Sequence, residues 1–164
     1  MVEVLRAGMA LPDATFLQMR EGGMVPVQLR EVLAGRRVVI FAVPGAFTPT
    51  CDSAHMPSFV RNADALRAKG VAEIICLSVN DPHVMRRWGE ATGATAAGIV
   101  VLADPAATFT KAVGMDYSMP ERGMLDRSRR YSLLANDGVV EVLTLEEKPG
   151  ACAVSAGEAM LDLL

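Results

Sequence analysis

Long apolar runs are missing from this chain of 164 residues. The longest, 38–44 and 74–79, have the length of strands and fall far below the ~18 residues a membrane helix needs. Aromatics are scarce, with one Trp, two Tyr and five Phe, too scattered for a base-stacking platform. Positive charge is not in excess either. Sixteen Lys and Arg against nineteen Asp and Glu leave a net charge of −3, without the basic footprint of a nucleic-acid binder. Neither a membrane nor a nucleic acid is therefore an expected partner. Cysteine is sparse and odd in number: Cys51, Cys76 and Cys152. Three thiols do not make a disulfide framework, and they suit a reducing compartment holding a reactive thiol. Glu3 and Arg6 break up any apolar N-terminal stretch, so the expectation is a cytoplasmic protein. There is no C-x-x-C of a dithiol oxidoreductase. No glycine-rich nucleotide-binding motif is present.

What is present is ordinary globular composition, 51% hydrophobic and 21% charged, in a length that predicts one domain over 1–164. A chain of this size buries roughly 70% of its unfolded surface, enough for a core without staples. Phe16–Met19 reads as an edge strand, Val25–Leu29 as a second short strand, and Leu29–Ala34 as a helical turn stopped at Gly35. Val38–Val43 is continuous and β-branched, the pattern of a strand buried on both faces. A loop with Pro44, Gly45 and Pro49 leads to Cys51. Met56, Phe59, Val60, Ala63 and Leu66 then recur at helical spacing over 53–69. Val71–Val79 is a second buried strand. Asp81-Pro82 opens a helix carrying Trp88, Ile99–Ala103 is a third strand, and Asp104-Pro105 opens another helix, closed by Gly114. The stretch 115–128 reads as irregular. Strands over 129–135 and 139–145 flank Asn136-Asp137-Gly138, a hairpin signal. Ser155-Ala156-Gly157-Glu158 has the form of a capping box. This order predicts an α/β protein with a mixed central sheet flanked by helices, and its layout resembles a thioredoxin-like fold.

Cys51 stands out chemically. It follows a buried strand and heads a helix, at the end of the sheet where α/β proteins place their sites. The free N–H groups and positive end of a helix favour the thiolate, the nucleophilic form of cysteine. The competing reading is a cysteine that only fills space. His55 is four residues on, and the two form a potential metal pair, but two ligands without a third make a poor site. No metal or other cofactor is expected. His55 reads as packing or capping locally, His83 as a solvated helix residue, Trp88 as core.

The run Pro44-Gly45-Ala46-Phe47-Thr48-Pro49-Thr50-Cys51, with His55, Pro57 and Phe59 beyond it, resembles the active-site signature of the peroxiredoxins, in the form of the peroxiredoxin 5 and plant type II branch. Blocks at 70–82, Val84-Met85, Trp88, Leu102–Asp104 and Arg127–Tyr131 extend the likeness over most of the chain. The resemblance implies a thiol-dependent peroxidase acting on hydrogen peroxide and alkyl hydroperoxides. Cys51 would attack the peroxide and become a sulfenic acid. Thr48 and Arg130 would bind and orient the peroxide, together with Gly45, and Pro44 would shield Cys51 from water. Elementary chemistry agrees: negative charge grows on the leaving oxygen, which a guanidinium and N–H donors stabilise, and a threonine hydroxyl both donates and accepts. On its own, Arg130 reads first as a surface arginine in a basic cluster.

Two cysteines are candidates to resolve the sulfenic acid. Cys76 lies inside a core strand and also reads as structural filling. In the family pattern a resolving cysteine occupies the position of Val154. Cys152 stands two residues earlier, and positions two apart in an extended segment share a face. The alternative is an external reductant, glutathione with glutaredoxin, or thioredoxin. The resemblance also implies a homodimer, for which Phe47, Met115 and Pro120 are interface candidates. Rival readings of the same motif are a peroxide sensor that passes oxidation to a partner protein, and a holdase.

Overall fold

The computed structural model describes residues 2–164. Its centre is a seven-stranded mixed sheet in the order β2-β1-β5-β4-β3-β8-β9. The strands are β1 Thr15–Arg20, β2 Gly23–Gln28, β3 Arg37–Val43, β4 Glu73–Ser78, β5 Val100–Ala103, β8 Tyr131–Asn136 and β9 Val139–Leu145. Strands β3, β4 and β5 run parallel, and β8 joins β3 antiparallel. The helices are α1 Leu29–Leu33, α2 Met56–Ala68, α3 Pro82–Ala91, α4 Thr108–Ala112 and α5 Gly157–Asp162.

The uninterrupted hydrophobicity of β3 has its cause in this arrangement, because both faces of the strand are covered. Val39, Phe41 and Val43 face a core built with Met56, Phe59, Leu66, Trp88 and Met160. Val38, Ile40 and Ala42 face a second core with Leu29, Leu33 and Phe109. The mixed α/β architecture expected from the sequence is therefore the one observed. Asp81 caps α3 as its position before Pro82 suggests, its carboxylate accepting from the N–H groups of His83 and Val84.

Four local expectations are corrected. The stretch 115–128 is not irregular: β6 Asp116–Met119 and β7 Met124–Ser128 form a two-stranded antiparallel ribbon around a short 3-10 turn, Pro120–Arg122. Asp104 does not start a helix directly. It is buried, and its carboxylate reaches forward to the N–H groups of Phe109 and Thr110 and the Thr110 hydroxyl, so α4 begins at Thr108. The capping box does not form, because Ser155 gives its hydroxyl to Glu146 and Glu158 pairs with Arg61. Met115 is fully buried in the second core and cannot belong to a surface interface.

Candidate active site

The site lies at the carboxyl ends of the parallel strands. Where β3 ends, Pro44 and Gly45 turn the chain into a loop pinned from two sides. Asn80, just beyond β4, accepts from the Ala46 N–H at 3.0 Å and from the Ser78 hydroxyl at 2.6 Å. Arg127 on β7 donates to the Pro44 carbonyl at 3.2 Å. A Cβ at Gly45 would lie 2.7 Å from the Arg127 guanidinium and 3.1 Å from the Thr48 methyl, so a larger residue would push Arg127 off the Pro44 carbonyl. Gly45 is buried behind Thr48 and does not line the cavity. Phe47 holds a left-handed backbone, φ 64°, and stands 54% exposed.

The helical stretch begins at 49, earlier than its apolar pattern suggests, and widens to a π turn over Cys51–His55 before continuing as α2. π turns recur at functional sites because they re-aim side chains. Here Cys51 and His55 both meet Arg130, which lies immediately before β8 and not on it. Arg130 Nη2 is 3.1 Å from Cys51 Sγ, and Nη1 donates to His55 Nδ1 at 3.0 Å. Nε and Nη2 also donate to the Pro149 carbonyl, at 3.2 and 3.1 Å. Cys51 and Arg130 are both buried.

His55 supports this arrangement. Its Nε2 lies 2.9 Å from the Ser155 carbonyl. A carbonyl only accepts, so Nε2 carries the proton and Nδ1 is free to accept from Arg130. Burial first, and the Arg130 charge second, lower its pKa to about 3. The ring is therefore neutral near pH 7, and both nitrogens are already engaged within the protein. The ring packs against Phe41 and Phe59, which stack face to face with centroids 4.0 Å apart. Such aromatic pairs contribute about 0.5–1.5 kcal/mol beyond area burial.

Beside Arg130, whose guanidinium reaches the buried Cys51, opens a cavity of about 300 Å³, lined by Pro44, Thr48, Pro49, Tyr117, Met124 and Arg130 among others. The Thr48 hydroxyl donates to the Gly45 carbonyl at 2.6 Å, leaving its lone pairs to accept. The structure thus brings together Cys51, Thr48, Arg130 and Pro44, four of the residues singled out in the sequence. The other two thiols have different surroundings. Cys76 is fully buried on β4, and burial pushes its pKa well up, with the Cys51 charge adding to the effect. Cys152 is half-buried, and burial raises its pKa against the opposing pull of Arg130. All three cysteines are free.

Sequence reasoning gave Asn80 and Arg127 no role beyond the likeness, and missed Pro149, Glu146 and the Asp52 carboxylate, which accepts from Trp88 Nε1 at 2.8 Å and ties the π turn to α3. It named His55 but did not connect it to Arg130. Its one available signal was the four-residue spacing from Cys51, which sets both on one side of a helix.

Fold and site together define a thioredoxin-fold protein built around a buried cysteine–arginine pair. A model of the redoxin family matches residues 6–161. The chain is 48% identical to peroxiredoxin-2E-2, chloroplastic, of Oryza sativa subsp. japonica, over 99% of its own length and 74% of the relative's. It is 37% identical to peroxiredoxin-2D of Arabidopsis thaliana, over 98% of each chain. Among solved structures it is similar to reduced Prx3 in complex with H2O2 from Vibrio vulnificus, with a TM-score of 0.91 and 45% identity, covering 98% of this chain and 99% of that one. The chain belongs to the redoxin family, among the peroxiredoxins of the peroxiredoxin 5 and plant type II branch, and is a thiol-dependent peroxidase.

Proposed function

We propose that the protein reduces hydrogen peroxide and organic hydroperoxides at Cys51, and that an external thiol, glutathione with glutaredoxin or thioredoxin, closes the cycle. The observation that carries this reading is the buried Arg130 guanidinium 3.1 Å from Cys51 Sγ. A buried cation needs an anion beside it, and a Cys51 thiolate supplies one. Peroxide enters the cavity between Thr48, Pro44 and Arg130. Its O–H donates to Thr48 Oγ1, whose own hydrogen is committed to Gly45. The thiolate attacks one oxygen, an S–O bond forms, and the O–O bond breaks. Sulfur loses two electrons, and the leaving oxygen departs as hydroxide or alkoxide and is protonated to water or alcohol. Arg130 and the backbone donors at the helix start stabilise the charge on that oxygen. Pro44 keeps bulk water from the sulfur.

Cys51 is then a sulfenic acid. A reducing thiol attacks its sulfur, expels water and leaves a mixed disulfide, which a second thiol releases. Resolution by an external thiol is supported by the state of the internal ones. Cys76 and Cys152 are both pushed toward the protonated form by burial, and the thiolate is the attacking species. The reading includes a homodimer, supported by the exposed Phe47 and Pro120 beside the cavity-forming loops, and a cytoplasmic location, supported by the sparse free thiols.

The test is the intact mass of the reduced protein seconds after one equivalent of hydrogen peroxide, with thiol mapping. Gain of one oxygen at Cys51 is the expected result, with no gain in Cys51→Ser. Loss of two hydrogens would replace the external thiol by an internal disulfide, and mapping would name Cys152 or Cys76. An unchanged mass would end the peroxidase mechanism at Cys51.

A further inference from the structure

Arg130 and His55 are both held from the same stretch of chain, the segment 147–155. Its Pro149 carbonyl accepts two bonds from the Arg130 guanidinium. Its Ser155 carbonyl accepts from His55 Nε2 and from the Ser132 hydroxyl. The segment has no helix or strand of its own, apart from turns, so its shape must be imposed by something outside it. The Thr50 hydroxyl holds its middle, donating to the Gly150 carbonyl at 2.9 Å, and Glu146 holds its ends. The residue is buried, and one carboxylate oxygen accepts three bonds: Ala153 N–H at 2.8 Å, Ser155 N–H at 2.8 Å and the Ser155 hydroxyl at 2.6 Å. Its own N–H donates to the Arg130 carbonyl at 3.0 Å. Glu146 therefore joins both ends of the segment into a closed loop at its neck. It also binds the main chain of the arginine that the loop grips. Burial works against the ionised form of Glu146, yet the Ser155 and Ala153 bonds outweigh burial and hold its pKa below the usual carboxylate value.

We propose that Glu146 is a positioning residue for the peroxidase reaction: by closing the 147–155 loop it sets the Pro149 and Ser155 carbonyls, which hold Arg130 directly and through His55, and so aims Arg130 at Cys51. It touches neither Cys51 nor the cavity, and its carboxylate acts through those two carbonyls. A carbonyl displaced by an ångström swings the guanidinium off the sulfur. Bonds to charged acceptors are among the strongest a protein makes, which suits the carboxylate as the anchor of the neck. The inference rests on the function proposed above, since it concerns how that same site is held.

The experiment compares Glu146→Ala and Glu146→Gln with the wild type in two assays. One is alkylation of Cys51 by iodoacetamide at fixed pH, which needs no peroxide chemistry. The other is single-turnover oxidation by hydrogen peroxide. Glu146→Ala is expected to slow both by about 10- to 100-fold, the range seen when a mutation displaces a reacting group by about an ångström. Glu146→Gln is expected to recover most of that loss, because its amide oxygen still accepts from Ala153 and Ser155. A folded Glu146→Ala protein with wild-type rates in both assays overturns the proposal. Should Glu146→Ala not fold, hydrogen exchange of the wild type decides. The Ala153 and Ser155 amides must exchange as slowly as those of β8, and exchange at the rate of an open loop overturns the proposal. A wild type inert to peroxide, whose alkylation still responds to Glu146→Ala, would sink the proposed function and leave the positioning role standing.

Discussion

His55 spends both ring nitrogens on other groups, and that commitment fixes its charge. An unfolded histidine takes up a proton near pH 6.5, whereas this buried ring resists until about 3. Between those values the unfolded chain binds one proton more than the folded one. The stabilisation is therefore complete above pH 6.5 and is lost as pH falls toward 3, at about 1.4 kcal/mol per pH unit. Replacing His55 by Asn removes this slope, whatever constant offset it adds. Urea unfolding at pH 7 and pH 5 is expected to show the wild type losing about 2 kcal/mol more than His55→Asn over that interval. Equal losses would mean that the ring is not held neutral. Residue spacing made part of this site legible. Pro44, Thr48 and Cys51 lie within eight residues, so local sequence carries their pattern. His55 was visible but its task was not, because Arg130 and the Ser155 carbonyl lie 75 and 100 residues away in the chain. No local pattern encodes such a pairing.

Elements were legible where burial alone shapes them. β3 and β4 read as continuous apolar runs because both faces are covered, and α3 announced its start through Asp81 and Pro82. The ribbon β6–β7 was not legible. Its strands are four and five residues long and interrupted by a bulge; Asp116–Met119 alternates polar and apolar over only four residues, and Met124–Ser128 does not alternate at all, too little signal to mark a pair of strands. The capping box failed for a different reason, since its serine and glutamate found better partners on other elements. What fixes the start of α5 is close approach to α2. The Gly157 N–H donates to the Ser58 hydroxyl at 2.9 Å, and a Cβ at Gly157 would press into the Ser58 backbone carbonyl and lie 3.1 Å from the Phe59 nitrogen. Backbone atoms inside a helix cannot move aside cheaply. Gly157→Ala is therefore expected to cost about 1–3 kcal/mol as overpacking. Thermal unfolding should show a fall in Tm of several degrees, about 2–4 °C per kcal/mol at this chain length. An unchanged Tm would show that α5 slides freely on α2.

At the scale of the whole molecule, the active-site loop ends in a feature that a monomer does not explain. Phe47 keeps 54% of its surface exposed in a left-handed backbone that costs a non-glycine residue roughly 1–2 kcal/mol. The loop is over-determined around it: Thr48 bonds Gly45, Asn80 bonds Ala46, and Arg127 bonds Pro44. Strain of this kind persists where surrounding structure enforces it, and here the enforcement projects an aromatic ring outward beside the cavity. Pro120, at the tip of the β6–β7 ribbon, is exposed as well, while Met115, expected with them, lies inside. A partner copy covering Phe47 would remove an apolar surface from water and shield the mouth of the cavity. A stable pairing needs about 800 Å² per partner, about a tenth of the 7607 Å² that the chain exposes. Sedimentation velocity is expected to find a dimer of the wild type at micromolar concentration and a monomer for Phe47→Asp, whose charge would be trapped in the interface. The variant leaves Cys51, Thr48 and Arg130 in place, so its alkylation at Cys51 reports on the intact monomeric site. A wild type that stays monomeric would remove the dimer and leave the strained, exposed Phe47 to be explained by the cavity alone.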